Sequence, residues 1–284
     1  MKTTFSLPLR PAQNGMKRIP IGLVVVAAIF LHQNATAIPM VNLGTASRFA
    51  VLAASTITDD GGASTIITGD VGLYPGTAIG LTAGQVTGGT IYAAGTGSDP
   101  LLIGATADLS TAYTDAKGRS GGSIVGTELG GTTLTPGVYD SASGTFGITG
   151  TLTLNGDGVY IFQMATTLIT AASSSVVLEN GAQACHVFWQ VGSSATLGTY
   201  SDFVGNILAY TTITDNGGST VEGRLLAMGG GQVGGAVNLD DTTLTKAVCS
   251  APPSSVPDCG STLPLLGFGV ATLFAFRRRF FSLV

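Results

Sequence analysis

An all-β fold interrupted by one helix is predicted for this chain of 284 residues. Short apolar runs recur along the middle of the sequence, and glycine or Asp-Gly ends each run after a few residues, which is typical of strands joined by tight turns. The chain has 42 glycines and only 10% charged residues. This composition disfavours both a disordered chain and an ordinary cytosolic enzyme.

The first 37 residues are predicted to be a secretory signal peptide. Basic Lys17 and Arg18 precede an apolar run over residues 21–31, and two alanines in A-x-A spacing end at residue 37. The run is shorter than the ~20 residues that a membrane-spanning helix needs. Because this pattern begins at Met16, a true start at residue 16 is an alternative.

Residues 38–250 are predicted to form one domain, and its charge limits the choice of partner. It contains five Lys and Arg residues against fifteen Asp and Glu residues, a formal net charge of −10. A nucleic-acid-binding surface needs a basic stripe. We therefore expect no nucleic-acid partner.

Residues 41–90 and 119–245 are predicted to consist of strands. Threonine, an apolar residue and threonine follow one another in five places, where strand periodicity points the apolar residue inward and both threonines outward. The uneven spacing of these triplets excludes a regular repeat, so an irregular solenoid is the alternative that stays open. The triplets begin at Thr56, Thr133, Thr151, Thr212 and Thr243.

One helix is predicted between Asp99 and Gly118. Asp99 can cap the first turn and Pro100 suits the first helical position. Lys117 suits the last turn, and Gly118 is expected to end the helix in a left-handed conformation. A single apolar stripe predicts docking along a larger body. The stripe comprises Leu102, Ala105, Leu109, Ala112, Tyr113 and Ala116.

The stretch from Ala184 to Ala209 is predicted to form strands bent at glycines. Apolar and polar residues alternate around Trp189, which predicts a half-buried strand with Trp189 inward and Phe188 and Gln190 outward.

Catalytic and metal-binding residues are not predicted. His186 is the only histidine between residues 38 and 250, so a serine triad lacks a credible base, and a packed histidine is the preferred interpretation. The Asp59-Asp60 and Asp240-Asp241 pairs are expected at turns, since neighbouring residues on a strand face opposite ways. A calcium site is the alternative, although the EF-hand spacing is missing. We expect no cofactor.

Several segments together resemble the ice-binding protein family of bacteria and fungi. They include STIITGDVG, TAYTDAKGR, LGGTTLTPGVY, GVYIFQM, QACHVFWQVGSSATLGTYSDFVGNILA and GRLLA, and they cover residues 41–249 in the family's order. The resemblance implies an irregular right-handed β-helix of triangular section with one α-helix alongside. It also implies a secreted protein that acts by adsorption to ice rather than by catalysis.

The resemblance carries over a set of small hydroxyl-bearing residues as the ice-binding surface. Threonine offers a hydroxyl that bonds water and a methyl group that limits hydration disorder. The alternative interpretation is that threonine is simply common on solvated strands. The residues are Thr65, Thr68, Thr166, Thr167, Ser194, Thr196, Thr212 and Thr214.

Cys185 and Cys249 are predicted to pair, since disulfides suit exported proteins. Two separate thiols are the alternative. Cys259 lies outside the predicted domain.

Residues 251–284 are predicted to be a linker and sorting tail. The motif Val256, Pro257, Asp258, Cys259 and Gly260 precedes an apolar run and three arginines. This order resembles the VPDSG type of PEP-CTERM tail in Gram-negative bacteria, with cysteine in place of the usual serine. The resemblance implies an exosortase as partner, membrane contact through the apolar run before processing, and a place in the cell envelope or outside the cell. A tail anchor is the simpler alternative.

We therefore predict an exported protein that adsorbs to ice. A surface adhesin or matrix protein that binds polysaccharide through the same scaffold is the second hypothesis. Sugar-binding platforms usually display rows of exposed aromatic residues, whereas Trp189 is expected to point inward, so ice is preferred.

Overall fold

The computed structural model describes residues 38–93, 99–229 and 234–250. These residues form short strands and one long helix, α1 (Pro100–Gly118). The strands are β1 (Phe49–Ala53), β2 (Thr56–Asp59), β3 (Ile66–Thr68), β4 (Asp70–Leu73), β5 (Ala78–Ile79), β6 (Val86–Thr87), β7 (Ile91–Ala93), β8 (Ser123–Val125), β9 (Thr133–Leu134), β10 (Gly137–Ser141), β11 (Phe146–Ile148), β12 (Thr151–Asn155), β13 (Tyr160–Met164), β14 (Leu168–Thr170), β15 (Ser175–Glu179), β16 (Val187–Val191), β17 (Ala195–Leu197), β18 (Asp202–Ala209), β19 (Ile213–Asp215), β20 (Thr220–Ala227), β21 (Val237–Leu239) and β22 (Thr243–Thr245).

The paired strands are parallel and lie in three stacks. The helix-side stack runs in the order β8, β10, β13, β16, β18, β20, β1, β4, β7. The small-residue stack runs β11, β14, β17, β19, β21, β2, β5. The mixed stack runs β9, β12, β15, β18, β20, β22, β3, β6. Each turn of chain thus contributes to all three stacks in succession.

The stacking order differs from the chain order. In every stack the strands of residues 49–93 follow the last C-terminal strands, so β1 pairs with β20, β2 with β21 and β3 with β22. The helix α1, ~28 Å long at 1.5 Å per residue, then leads from the N-terminal strands to β8 at the other end of the helix-side stack.

Strands β18 and β20 bend from the mixed stack into the helix-side stack. The bends lie at Gly205, which has φ of +115°, and at Gly223. A Cβ atom on Gly223 would lie 1.8 Å from the carbonyl oxygen of Gly205. Two glycines therefore allow two neighbouring strands to turn the same corner in register. The bend at Gly205 agrees with the prediction of strands bent at glycines over residues 184–209.

The interior between the stacks is apolar and contains a column of aromatic rings. Trp189 is fully buried and stacks on Phe162 with ring centroids 4.0 Å apart. Tyr139 continues the column on one side and Phe203 on the other. The Trp189 indole N–H donates to the carbonyl oxygen of Val204 at 3.0 Å, so its polar atom is satisfied. The predicted inward position of Trp189 is confirmed.

The helix docks as predicted, through all six residues of its apolar stripe. Leu102, Ala105, Leu109, Ala112, Tyr113 and Ala116 are buried. They pack against outward side chains of the helix-side stack, among them Phe49, Phe188 and Leu226. Asp99 caps the helix as expected, since its carboxylate accepts from the Leu101 N–H at 2.9 Å.

The predicted left-handed stop at Gly118 is wrong. Gly118 is the last helical residue, and Arg119 turns directly into an extended conformation with φ of −65°. The side-chain amide of Gln163, on β13, donates to the carbonyl oxygens of Ala116, Lys117 and Arg119. A side chain from the sheet therefore satisfies the carbonyl groups that a glycine cap would otherwise satisfy.

The prediction of a half-buried strand around Trp189 is also wrong. All five residues of β16 are buried. Phe188 points outward but packs under α1, and the Gln190 side chain donates to the Tyr113 hydroxyl at 2.9 Å. The helix covers the face that the alternating pattern assigns to solvent.

Candidate functional site

The outward side of the small-residue stack carries two parallel rows of side chains, which together we call the small-residue face. The strand register aligns one residue from each of six strands, and Gly80 directly after β5, in the Thr214 row. The residues two positions earlier in the sequence form the Thr212 row. The Thr212 row contains Thr145, Thr167, Ser194, Thr212, Ala236, Thr56 and Ala78. The Thr214 row contains Gly147, Ile169, Thr196, Thr214, Asn238, Thr58 and Gly80.

None of these fourteen side chains is charged, and apart from Ile169 and Asn238 all are Thr, Ser, Ala or Gly. The inward neighbours in the same strands, such as Ile213 and Val237, are fully buried. Buried inward residues fix the outward threonines, because a side chain cannot change face without shifting the whole strand register.

The outward side chains of the mixed stack are more charged and bulkier than those of the small-residue face. Its exposed residues include the acidic side chains Asp202 and Glu222 and the apolar side chains Ile66 and Val177. Carboxylates and bulky alkyl groups interrupt this surface, whereas the small-residue face has neither charge nor large side chains except Ile169.

Five of the eight residues carried over by the family resemblance lie on the small-residue face: Thr167, Ser194, Thr196, Thr212 and Thr214. Thr166 is exposed at the turn just before β14, where its hydroxyl lies 2.8 Å from that of Thr145. The structure thus brings six of them to one side of the molecule.

Thr65 and Thr68 do not belong to this group. Thr68 is exposed on β3 of the mixed stack, where its hydroxyl pairs with that of Thr87. Thr65 is fully buried, and its hydroxyl donates to a carboxylate oxygen of Asp59 at 2.7 Å. The prediction of Thr65 as a surface contact is therefore wrong, because its hydroxyl is buried and forms a hydrogen bond inside the protein.

Sequence reasoning missed Thr56, Thr58 and Thr145 as members of the face. The Thr56-Ile57-Thr58 triplet signals an outward pair of threonines, and Ile57 is indeed buried. The triplet joins the face only because β2 pairs with β21. The paired residues Thr58 and Asn238 lie 180 positions apart in the chain. No local pattern reveals such a pairing.

The acidic residues lie at the ends of these strands, outside the two rows. Asp60, Asp240 and Asp241 occupy bends, as predicted, and Asp59 is the last residue of β2. Asp215 is buried and accepts from the Ser219 and Thr242 hydroxyls. Partial burial, followed by repulsion from the neighbouring carboxylates, raises the pKa of Asp240 above its ordinary value.

Cys185 and Cys249 form a disulfide in the structure, with Cα atoms 5.4 Å apart. Together with His186 they are also the one group in the described ranges whose ligand atoms are close enough to share a metal ion. The sulfur atoms are bonded to each other, which leaves a single nitrogen ligand there. His186 is partly buried, and its Nδ1 lies 4.0 Å from Asp157 Oδ1.

The comparison with protein families agrees with this geometry. Residues 51–245 match the model of the Ice-binding-like family, and residues 255–280 match the VPDSG-CTERM motif. This motif indicates export and surface sorting in bacteria. The motif itself lies outside the described residues. Within the described ranges, no helix is both long and apolar enough to cross a membrane.

Similar proteins are named for ice binding. An ice-binding protein from Nostoc sp. (strain HG1) is 40% identical over 273 residues, which cover 93% of this chain and 97% of that protein. One from Colwellia sp is 40% identical over 226 residues, covering 74% and 88% of the two chains. Both alignments extend well beyond a single motif.

Solved structures agree with the sequence comparisons. The ice-binding protein of the Antarctic ascomycete Antarctomyces psychrotrophicus is 40% identical, with a TM-score of 0.66 over 75% of this chain and all of that chain. An ice-binding protein from an Arctic yeast is 32% identical, also with a TM-score of 0.66, over 75% and 96% of the two chains. These are binding proteins rather than enzymes, and this chain belongs to the Ice-binding-like family.

Proposed function

We propose that this protein adsorbs to ice through the small-residue face. The observation that carries the proposal is the pair of uncharged rows on seven parallel strands. Neighbouring strands are about 4.8 Å apart, so the rows present hydroxyl and methyl groups at a regular spacing. Hydroxyl groups can hold an ordered layer of water, and the methyl groups beside them restrict the alternatives open to that water.

The inward side chains keep the face flat. Each threonine of the face is next in sequence to at least one buried inward residue, such as Ile213 or Ile57, so the strand cannot rotate to hide it. We infer a triangular section from the three stacks and a right-handed coil from the strong preference of parallel β connections for that hand. A triangular section gives each stack its own plane, which separates the small-residue face from the charged mixed stack.

Export and surface attachment complete the proposal. We assign residues 1–37 to a signal peptide and residues 251–284 to a linker and sorting tail of a Gram-negative bacterium. An exosortase is the proposed processing enzyme. The apolar run of the tail is proposed to hold the chain in the membrane until the exosortase cleaves it. The face would thus act outside the cell, either free or tethered to the envelope.

The first test measures thermal hysteresis and inhibition of ice recrystallisation by residues 38–250. We expect a freezing gap and faceted crystals. A folded domain with neither effect would contradict ice binding and would favour the second hypothesis, a polysaccharide-binding adhesin. That hypothesis is then tested on glycan arrays.

A single substitution tests the face. Thr212→Tyr places a bulky ring in the middle of the Thr212 row without touching the core, so we expect thermal hysteresis to fall sharply while the melting temperature changes little. Thr243→Tyr is the matched control, since Thr243 is an exposed outward threonine on the mixed stack. Equal thermal hysteresis in the Thr212→Tyr and Thr243→Tyr variants would exclude this face as the contact surface.

A further inference from the structure

Asn238 is the one amide side chain among the fourteen residues of the small-residue face. It is the central residue of β21, its side chain points outward, and its neighbours on the adjacent strands are Thr214 and Thr58. Asparagine is disfavoured in strands, and threonine, which the row uses on both sides, is favoured there. Its presence therefore needs a reason other than strand propensity.

The Asn238 amide bonds to both neighbouring threonines. The Thr58 hydroxyl donates to Asn238 Oδ1 at 3.0 Å, and Asn238 Nδ2 donates to Thr214 Oγ1 at 3.3 Å. The amide carries a donor and an acceptor at its end, so one side chain connects three successive strands of the row.

These bonds set the direction in which each hydroxyl faces water. Thr58 uses its hydrogen on Asn238, so its oxygen is left to accept from water. Thr214 accepts from Asn238, so its hydrogen is left to donate to water. Two hydroxyls that would otherwise rotate are thus held in complementary roles on either side of Asn238, which lowers the ordering cost of a bound water layer.

The position of these bonds matters because β21 and β2 are neighbours only in space. Thr58 and Asn238 are separated by 180 residues, and their strands meet where the N-terminal strands are added to the C-terminal ones. No turn connects the two strands to set their relative position. The bond between Asn238 and Thr58 links their outward surfaces directly.

We propose that Asn238 is a positioning residue of the ice-contacting surface. Its amide fixes the Thr58 and Thr214 hydroxyls and keeps the Thr214 row continuous across this junction. The inference rests on the proposed function of the small-residue face.

The test replaces Asn238 by the residue type of its neighbours. Threonine favours a strand but has no amide to bridge both sides, so Asn238→Thr should keep or raise the melting temperature while lowering thermal hysteresis. If Asn238 had only a structural role, thermal hysteresis would rise or fall together with the melting temperature. Asn155→Thr is the matched control, because Asn155 also points outward and accepts from Asn180 at 2.9 Å, but on the mixed stack. We expect it to leave hysteresis unchanged.

A double-mutant cycle tests whether Asn238 acts through Thr214. Thr214→Val keeps the shape and removes the hydroxyl, so Asn238→Thr should cost less hysteresis in that background than in the wild type. Equal losses in the two backgrounds, or wild-type hysteresis of Asn238→Thr, would overturn the positioning role. If the wild type itself shows no hysteresis, the proposed function fails. If the wild type is active and Thr212→Tyr is inactive, the proposed function holds, and the Asn238 variants then decide the positioning role alone.

Discussion

At the scale of single residues, Glu128 shows how a carboxylate ends the small-residue stack. Its backbone forms a bridge with Gly147 of β11. Its side chain accepts from the backbone N–H groups of Gly130 and Thr149, both at 2.7 Å, and from the Thr149 hydroxyl. An open strand edge presents unpaired backbone groups, and this side chain satisfies two of them.

The ionisation of Glu128 should therefore contribute to stability. Partial burial raises the pKa of its carboxyl group, but the hydrogen bonds from Gly130 and Thr149 outweigh that effect and hold the pKa below its ordinary value of 4.5. A lowered pKa means that the native state binds fewer protons than the unfolded state, so this stabilisation is present above the ordinary pKa. It is lost as pH falls through the native pKa.

We expect Glu128→Gln to melt at a lower temperature than the wild type at pH 7, and the difference to close as the pH is lowered toward 3. Melting curves by circular dichroism across this range measure it. Glu222→Gln, outward on the mixed stack, serves as the control for removing one negative charge. A difference that stays constant with pH would show that the Glu128 charge is not responsible.

At the scale of elements, replacing glycine by alanine should have opposite effects on stability at a strand bend and at a helix end. An added Cβ at Gly223 would meet the Gly205 carbonyl oxygen at 1.8 Å, whereas at Gly118 it would meet nothing within 4 Å. We expect Gly223→Ala to destabilise the fold by ~3 kcal/mol or more, the upper range for overpacking. Gly118→Ala should be neutral or stabilising by up to ~1 kcal/mol, since Gly118 is helical. Urea unfolding of both variants measures the difference, and a destabilised Gly118→Ala would contradict the observed helix end.

The same two elements show what the sequence could and could not predict. The six buried positions of α1 follow from 3.6-residue periodicity and its cap follows from Asp99, and both signals are local in sequence. The end of the helix does not, because Gln163 lies 47 residues from Ala116. The outward threonines Thr212 and Thr214 follow from strand alternation. Their assembly with Thr58 into one face depends on parallel pairing between distant strands, which alternation does not encode.

At the scale of the whole molecule, the Cys185–Cys249 bond fastens the end of the described chain. Cys249 follows β22, the strand that joins β20 to β3. The disulfide holds the segment after β22 against the residues just before β16, where the Ser250 N–H also donates to the Gln183 side chain. The bond thus holds the last described residues against the segment before β16.

Removing this bond should lower stability without removing the small-residue face. The cysteines are 64 residues apart in sequence, and closing a loop of that length contributes ~4 kcal/mol in the chain-entropy model. We expect the Cys185→Ser, Cys249→Ser variant of residues 38–250 to melt on the order of 10 °C lower. Hysteresis just below 0 °C should persist, because the seven strands of the face contain neither cysteine. Reductant should reproduce the shift in the wild type and leave the variant unchanged. Equal melting temperatures would contradict this prediction and would mean that the other contacts of the segment after β22 hold it in place.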